Sequence, residues 1–141
     1  ETENIFSPQI KISRQGEDLA TWNGNSGNSK VREYPVVFYG RGRGIHTVSL
    51  FEGPLLKDVL YSFFPPEREY LRKGIFVISA PAAYRCVFSY GEIMNRSDQS
   101  EVLLIDEGER KGGRWRILSS ADFFSDRAVK SVSRIDLSII E

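Results

Sequence analysis

Eight short runs of β-branched and aromatic residues, none longer than seven, set the terms on which this chain can fold. They are Gln9 to Ser13, Glu33 to Tyr39, Ile45 to Phe51, Ile75 to Ala80, Tyr84 to Phe88, Val102 to Asp106, Arg114 to Leu118 and Arg134 to Ile140. Side chains of a strand alternate between its faces, so runs of this kind predict short strands, each burying at least one face. Helical patterning is scarcer. Pro54 to Phe64 sets Leu55, Leu56, Val59, Leu60 and Phe63 on one face, with Lys57, Asp58 and Ser62 outside it. Pro54 suits the first helical turn, and Pro65 with Pro66 stops the helix. Pro66 and Glu67 open a second short helix through Leu71, closed by Gly74, and a further turn is expected from Tyr90 to Asn95. Strands followed by a helix pair and then more strands predict an α+β fold: a mixed, mainly antiparallel β-sheet core with a few short helices packed to one side.

Residues 1–141 read as a single domain, since a chain of this length buries roughly two thirds of its unfolded surface without disulfides or a structural metal. The one cysteine, Cys86, agrees with that: it can form no internal disulfide and no cysteine-based zinc site. A polar Gly/Asn/Ser stretch near residues 23–30 predicts a flexible loop, because it has little apolar surface to bury. Lys plus Arg and Asp plus Glu number 19 each, and a net charge of zero argues against broad electrostatic capture of nucleic acid or anionic membrane. No apolar stretch approaches the roughly 20 residues of a membrane span, so no membrane insertion is expected. The sequence opens on Glu1 rather than Met, as a processed or shortened chain does, which leaves the compartment open and slightly favours an exported, periplasmic location.

Three motifs invite a chemical reading. Gly40-Arg-Gly-Arg-Gly44 has the glycines and guanidiniums of an anion-cradling loop. Both its flanks read as strands, however, which predicts a hairpin turn with Arg41 and Arg43 at its tip. His46 is the only histidine and sits in a strand pattern far from Cys86, so a nucleophilic triad is not indicated. Arg110 to Arg116 places four cations and Trp115 within seven residues. Its glycine pair predicts a turn feeding a strand, with Trp115 on one face and Arg114 and Arg116 on the other, rather than a platform for single-stranded nucleic acid.

From Phe51 to the C-terminus the chain resembles the molybdopterin-binding domain of the sulfite oxidase family. Glu52-Gly-Pro-Leu-Leu-Lys-Asp-Val-Leu60 is similar to the family's "G-(I/V)-P-L-x-D-(V/L)-L" segment, and Ile78 to Phe88 to the strands around its "S-x-D-G-Y". Gly112 to Ile117, followed by Asp126 to Ile135, resembles the closing "G-x-P-x-R" and "R-x-V-K" blocks. The resemblance implies that Arg116 and Lys130, with Arg127 adjacent, help hold a cofactor's phosphate and pterin. It also departs from the family where the metal is concerned. The family anchors molybdenum through a cysteine thiolate ahead of the "G-x-P-L" block, whereas this chain has no cysteine before Cys86. The acidic residue of "D-G-Y" is replaced as well, within Ala82-Ala83-Tyr84, and Arg114 stands where "P-x-R" has proline.

The expectation is therefore a noncatalytic domain on this scaffold that takes a pterin-type or other small anionic ligand without molybdenum. The resemblance gathers its ligand-binding residues as Arg41, Arg43, His46, Tyr84, Arg116, Arg127 and Lys130. Two alternatives stand beside it: a protein-interaction module recognising a partner protein through exposed aromatics such as Trp22 or Tyr39, and a residual molybdopterin oxidoreductase.

Overall fold

The computed structural model describes residues 9–23, 31–36, 39–40, 44–45, 49–81, 84–96, 102–106, 115–119, 127 and 129–140, and within 31–53 the backbone alone. In chain order the strands are β1 (Ile10–Arg14), β2 (Glu17–Trp22), β3 (Val31–Val36), β4 (Tyr39–Gly40), β5 (Gly44–Ile45) and β6 (Ser49–Pro54). Helices α1 (Leu56–Leu60) and α2 (Arg68–Lys73) follow, then β7 (Gly74–Ser79), β8 (Arg85–Ser89) and α3 (Tyr90–Met94). The chain continues through β9 (Leu103–Asp106), β10 (Trp115–Leu118) and β11 (Arg134–Ile139). The architecture is α+β, mostly sheet with a few short helices, as the sequence pattern predicts.

Five strands form one sheet in the order β2-β1-β11-β7-β8. Every neighbouring pair is antiparallel except β1 and β11, which run parallel and make the sheet mixed. A second group consists of the antiparallel pairs β9–β10 and β3–β6, joined where Leu55 bridges Leu103 and Leu56 N–H donates to Val102 O at 2.9 Å. The inner face of the large sheet presents Ile10, Ile12, Phe76, Ile78, Phe88, Ile135 and Leu137. Against these pack α1 (Leu56, Val59, Leu60), α3 (Tyr90, Ile93) and one face of β9–β10 (Leu104, Trp115, Ile117). Each such side chain contributes about 1.5–3 kcal/mol on leaving water. The opposite face of β9–β10 is covered too, with Leu103, Ile105 and Leu118 meeting Leu55 in a smaller cluster. Burial on both sides explains why Val102 to Ile105 reads as an unbroken apolar run.

The structure revises three local expectations. Pro54 ends β6, opposite Val31, instead of opening α1, which starts at Leu56. Leu55 thereby leaves the predicted helical face for the smaller cluster. Within the predicted runs Glu33 to Tyr39 and Ile45 to Phe51, every described residue is strand, in β3 and β4 and in β5 and β6 respectively, and residues 37–38 and 46–48 lie outside the described residues. Strand β2, whose Glu-Asp-Leu-Ala-Thr-Trp sequence shows no clean alternation, pairs with β1 across Gln15 and Gly16. Both turn residues have positive φ, 51° and 84°, the geometry that matches a tight hairpin to strand twist. Trp22, expected among exposed aromatics, is buried, its ring centroid 4.7 Å from that of Trp115. The indole on β2 and the one on β10 therefore serve the core and are not available to a partner.

Candidate functional site

Segment 129–133 links the two groups of strands. Ile117 N–H donates to Val129 O and Trp115 O accepts from Val132 N–H, both at 2.9 Å, so the segment runs beside β10. One residue farther on, Ser133 N–H donates to Ser79 O at 2.8 Å, and the chain enters the large sheet as β11. Between the first two bonds lies one residue on β10, Arg116, against two on the other segment, Lys130 and Ser131. This is a bulge, and Ser131 has the positive φ of 57° that a bulged residue can adopt. Bulges re-aim side chains, and this one brings together two cations separated by fourteen positions in sequence.

The polar groups at this seam are unusual in their burial. Ser131 is 3% exposed and Ser119, just beyond β10, is 2% exposed. Neither hydroxyl has a hydrogen-bond partner among the described residues. Leaving a buried hydroxyl unsatisfied costs about 1–3 kcal/mol, so each such group calls for an explanation. Arg116 is half-buried on the face of β10 that carries Leu118, opposite Trp115, and Lys130 is exposed.

Arg127 is placed differently. Its guanidinium lies 4.1 Å from the centre of the Phe88 ring and donates to Val87 O and to Glu92 Oε1, each at 3.1 Å. It thus covers the free edge of β8 and ties it to α3. Glu92 also completes a capping box, accepting from Ser89 N–H while its own N–H donates to Ser89 Oγ. Burial pushes the Glu92 carboxyl upward, but the Arg127 and Ser89 hydrogen bonds and the Arg127 charge outweigh it, and its pKa falls below the ordinary value. Cys86 is buried on β8, its sulfur 3.7 Å from Arg127 O.

Tyr84 is 50% exposed and closes the β7–β8 connection, where Ala80 N–H donates to Tyr84 O at 2.9 Å. The hairpin expected at Gly40 to Gly44 has an antiparallel ladder on its flanks, with Tyr39 opposite Ile45 and Gly40 opposite Gly44. Arg41, Arg43 and His46 lie outside the described residues, as do the side chain of Tyr39 and the polar stretch 24–30. Among the described residues no three His, Cys, Asp or Glu side chains gather as a metal site requires. No described helix is long and apolar enough to cross a membrane.

The buried serines were invisible to motif reading, because Ser119 and Ser131 stand in ordinary polar stretches and only pairing buries them. A second polar cluster could have been read from alternation. Arg134, Asp136 and Ser138 recur at spacing two on β11, which assigns them one face of the sheet. No protein-family model matches this chain, and no curated protein matches it.

Proposed function

We propose that this domain binds a small anionic ligand of the pterin-phosphate class, without catalysis, on a scaffold like that of the sulfite oxidase molybdopterin-binding domain. The observation that carries the reading is the bulge that sets Arg116 beside Lys130 and the buried Ser131, whose hydroxyl has no partner among the described residues. A guanidinium grips a phosphate through two bonds, an ammonium adds a compact charge, and an orphaned hydroxyl regains a partner when a polar ligand arrives. Those are the two cations to which the resemblance assigns phosphate and pterin contact. The donor set suits the organic part of such a cofactor. It does not suit the metal part, because the chain's one thiol is buried on β8 beside Arg127 O, and no thiolate remains to anchor molybdenum.

The test is a titration of the full chain with neopterin monophosphate, followed by pterin fluorescence anisotropy. Saturable binding is expected, with Arg116→Ala and Lys130→Ala each weakening it about tenfold or more while circular dichroism stays unchanged. Absence of binding to the unaltered chain, or equal binding in both variants, overturns the proposal.

A further inference from the structure

The outer face of the five-stranded sheet carries no helix among the described residues, and its exposed pattern is not random. Register places Arg85 of β8 opposite Ser79 of β7, and Ser79 opposite Arg134 of β11, which in turn lies opposite Lys11 of β1. Three cations thus line one row across four strands, with the small Ser79 between two guanidiniums. Neighbouring strands stand about 4.8 Å apart, so the two arginine backbones are about 10 Å from each other, with the depression over Ser79 between them. The resulting concavity measures about 380 Å³ and is floored by Val77 and bounded below by Asp136 and Ser138.

The charges in this concavity do not cancel. Asp18 takes Arg134 at 2.7 Å and Lys11 at 3.9 Å, one carboxylate for two cations. Arg85 is exposed and has no partner among the described residues, and the Ser79 hydroxyl has none either. One row lower, Asp136 is occupied on both oxygens. Oδ1 accepts from Ser13 Oγ at 2.6 Å and Gly16 N–H at 2.9 Å, and Oδ2 accepts from Ser138 Oγ at 2.6 Å. Asp136 therefore pins the β1–β2 turn to β11 and repels an anion towards the arginine row.

We propose that this face holds a second site, in which Arg85 and Arg134 bind the phosphate or carboxylate group of a small metabolite over the Ser79 hydroxyl. Arg85 supplies a planar fork of donors, Arg134 supplies the edge not spent on Asp18, and Ser79 supplies a neutral donor between them. A cavity of this size admits a ligand of a sugar phosphate's or dicarboxylate's dimensions. Arg116, Lys130 and Ser131 take no part, so the two sites fail or succeed separately.

The test is an amide chemical-shift titration of the 15N-labelled full chain with inorganic phosphate and, separately, with succinate, at ionic strength held constant with chloride. Saturable shifts at Ser79, Arg85 and Arg134 are expected with at least one probe, and the probe that saturates at lower concentration names the oxyanion. Arg85→Ala, an exposed substitution whose spectrum itself reports an intact fold, is expected to weaken that binding about tenfold or more. Arg116→Ala is expected to leave it unchanged. Shifts that fail to saturate with both probes, or that saturate equally in Arg85→Ala, overturn the proposal.

Discussion

Tyr90 is the residue at which packing most clearly controls chemistry. Its ring stacks on Phe76 at 5.6 Å and lies 5.4 Å from Tyr70, and its hydroxyl donates to Phe64 O at 2.7 Å. Burial, with the negative potential of Tyr70, Glu67 and Tyr61, pushes its pKa up to about 12. In the unfolded chain the phenol titrates near 10. Between those values the native state holds a proton that the unfolded state has lost, so stability is full below about pH 10 and falls as pH rises towards 12. Urea midpoints across that window are expected to decline, and Tyr90→Phe is expected to flatten the decline. At neutral pH the same variant is expected to cost about 1–3 kcal/mol, since Phe64 O is left without its donor. A variant with an unchanged alkaline limb would show that Tyr90 does not govern it. Arg116 and Lys130 became candidates in the sequence only through the motif blocks they resemble. Their juxtaposition was not legible there, because a one-residue bulge leaves no mark in composition or spacing.

At the scale of elements, Gly74 shows how a correct boundary can have an unexpected cause. Sequence reading places it as a helix stop, for which left-handed geometry is the usual reason. The structure gives it φ −82° and ψ 138°, extended backbone open to any residue. The constraint is space: a Cβ on Gly74 would lie 2.6 Å from Tyr70 O, the carbonyl to which Gly74 N–H donates. Gly74→Ala is thus expected to destabilise the fold by about 1–3 kcal/mol, because the α2–β7 junction must open. Chemical denaturation measures this, and a loss below about 0.5 kcal/mol would show that the backbone yields freely. The same scale explains the revised boundaries. Pro54 can end a strand as readily as begin a helix, and pairing with Val31 decided between them. Strand β2 escaped detection because an edge strand needs few apolar residues; its hairpin turn and partner β1 define it.

For the molecule as a whole, the question is whether the two groups of strands unfold together. Trp22 on β2 meets Trp115 on β10, and one cluster of buried residues runs from Ile10 on the large sheet to Leu104 and Ile117 on the second group. Segment 129–133 then passes hydrogen bonds from β10 to β7 without interruption. Cooperative unfolding is the consequence. Tryptophan fluorescence, which reports the contact between the groups, and far-ultraviolet circular dichroism, which reports both, are expected to show coincident transitions. Trp22→Ala is expected to move both midpoints down together, with a loss of about 3–5 kcal/mol in unfolding free energy. Transitions that separate would show that the contact is not integral to the fold.

By itself, the amino-acid sequence determined the local quantities: which runs become strands, where Gly74 ends a helix, the net charge of zero, and the single thiol. These follow from side-chain periodicity, backbone sterics and composition, which act within a few residues. Only the tertiary structure decided which strands are neighbours, that β1 and β11 run parallel, and that Ser119 and Ser131 are buried without a hydrogen-bond partner among the described residues. It alone aligned Arg85, Ser79 and Arg134 in one row. Such placements depend on contacts between residues dozens of positions apart, and their free energy is settled by packing the whole core at once.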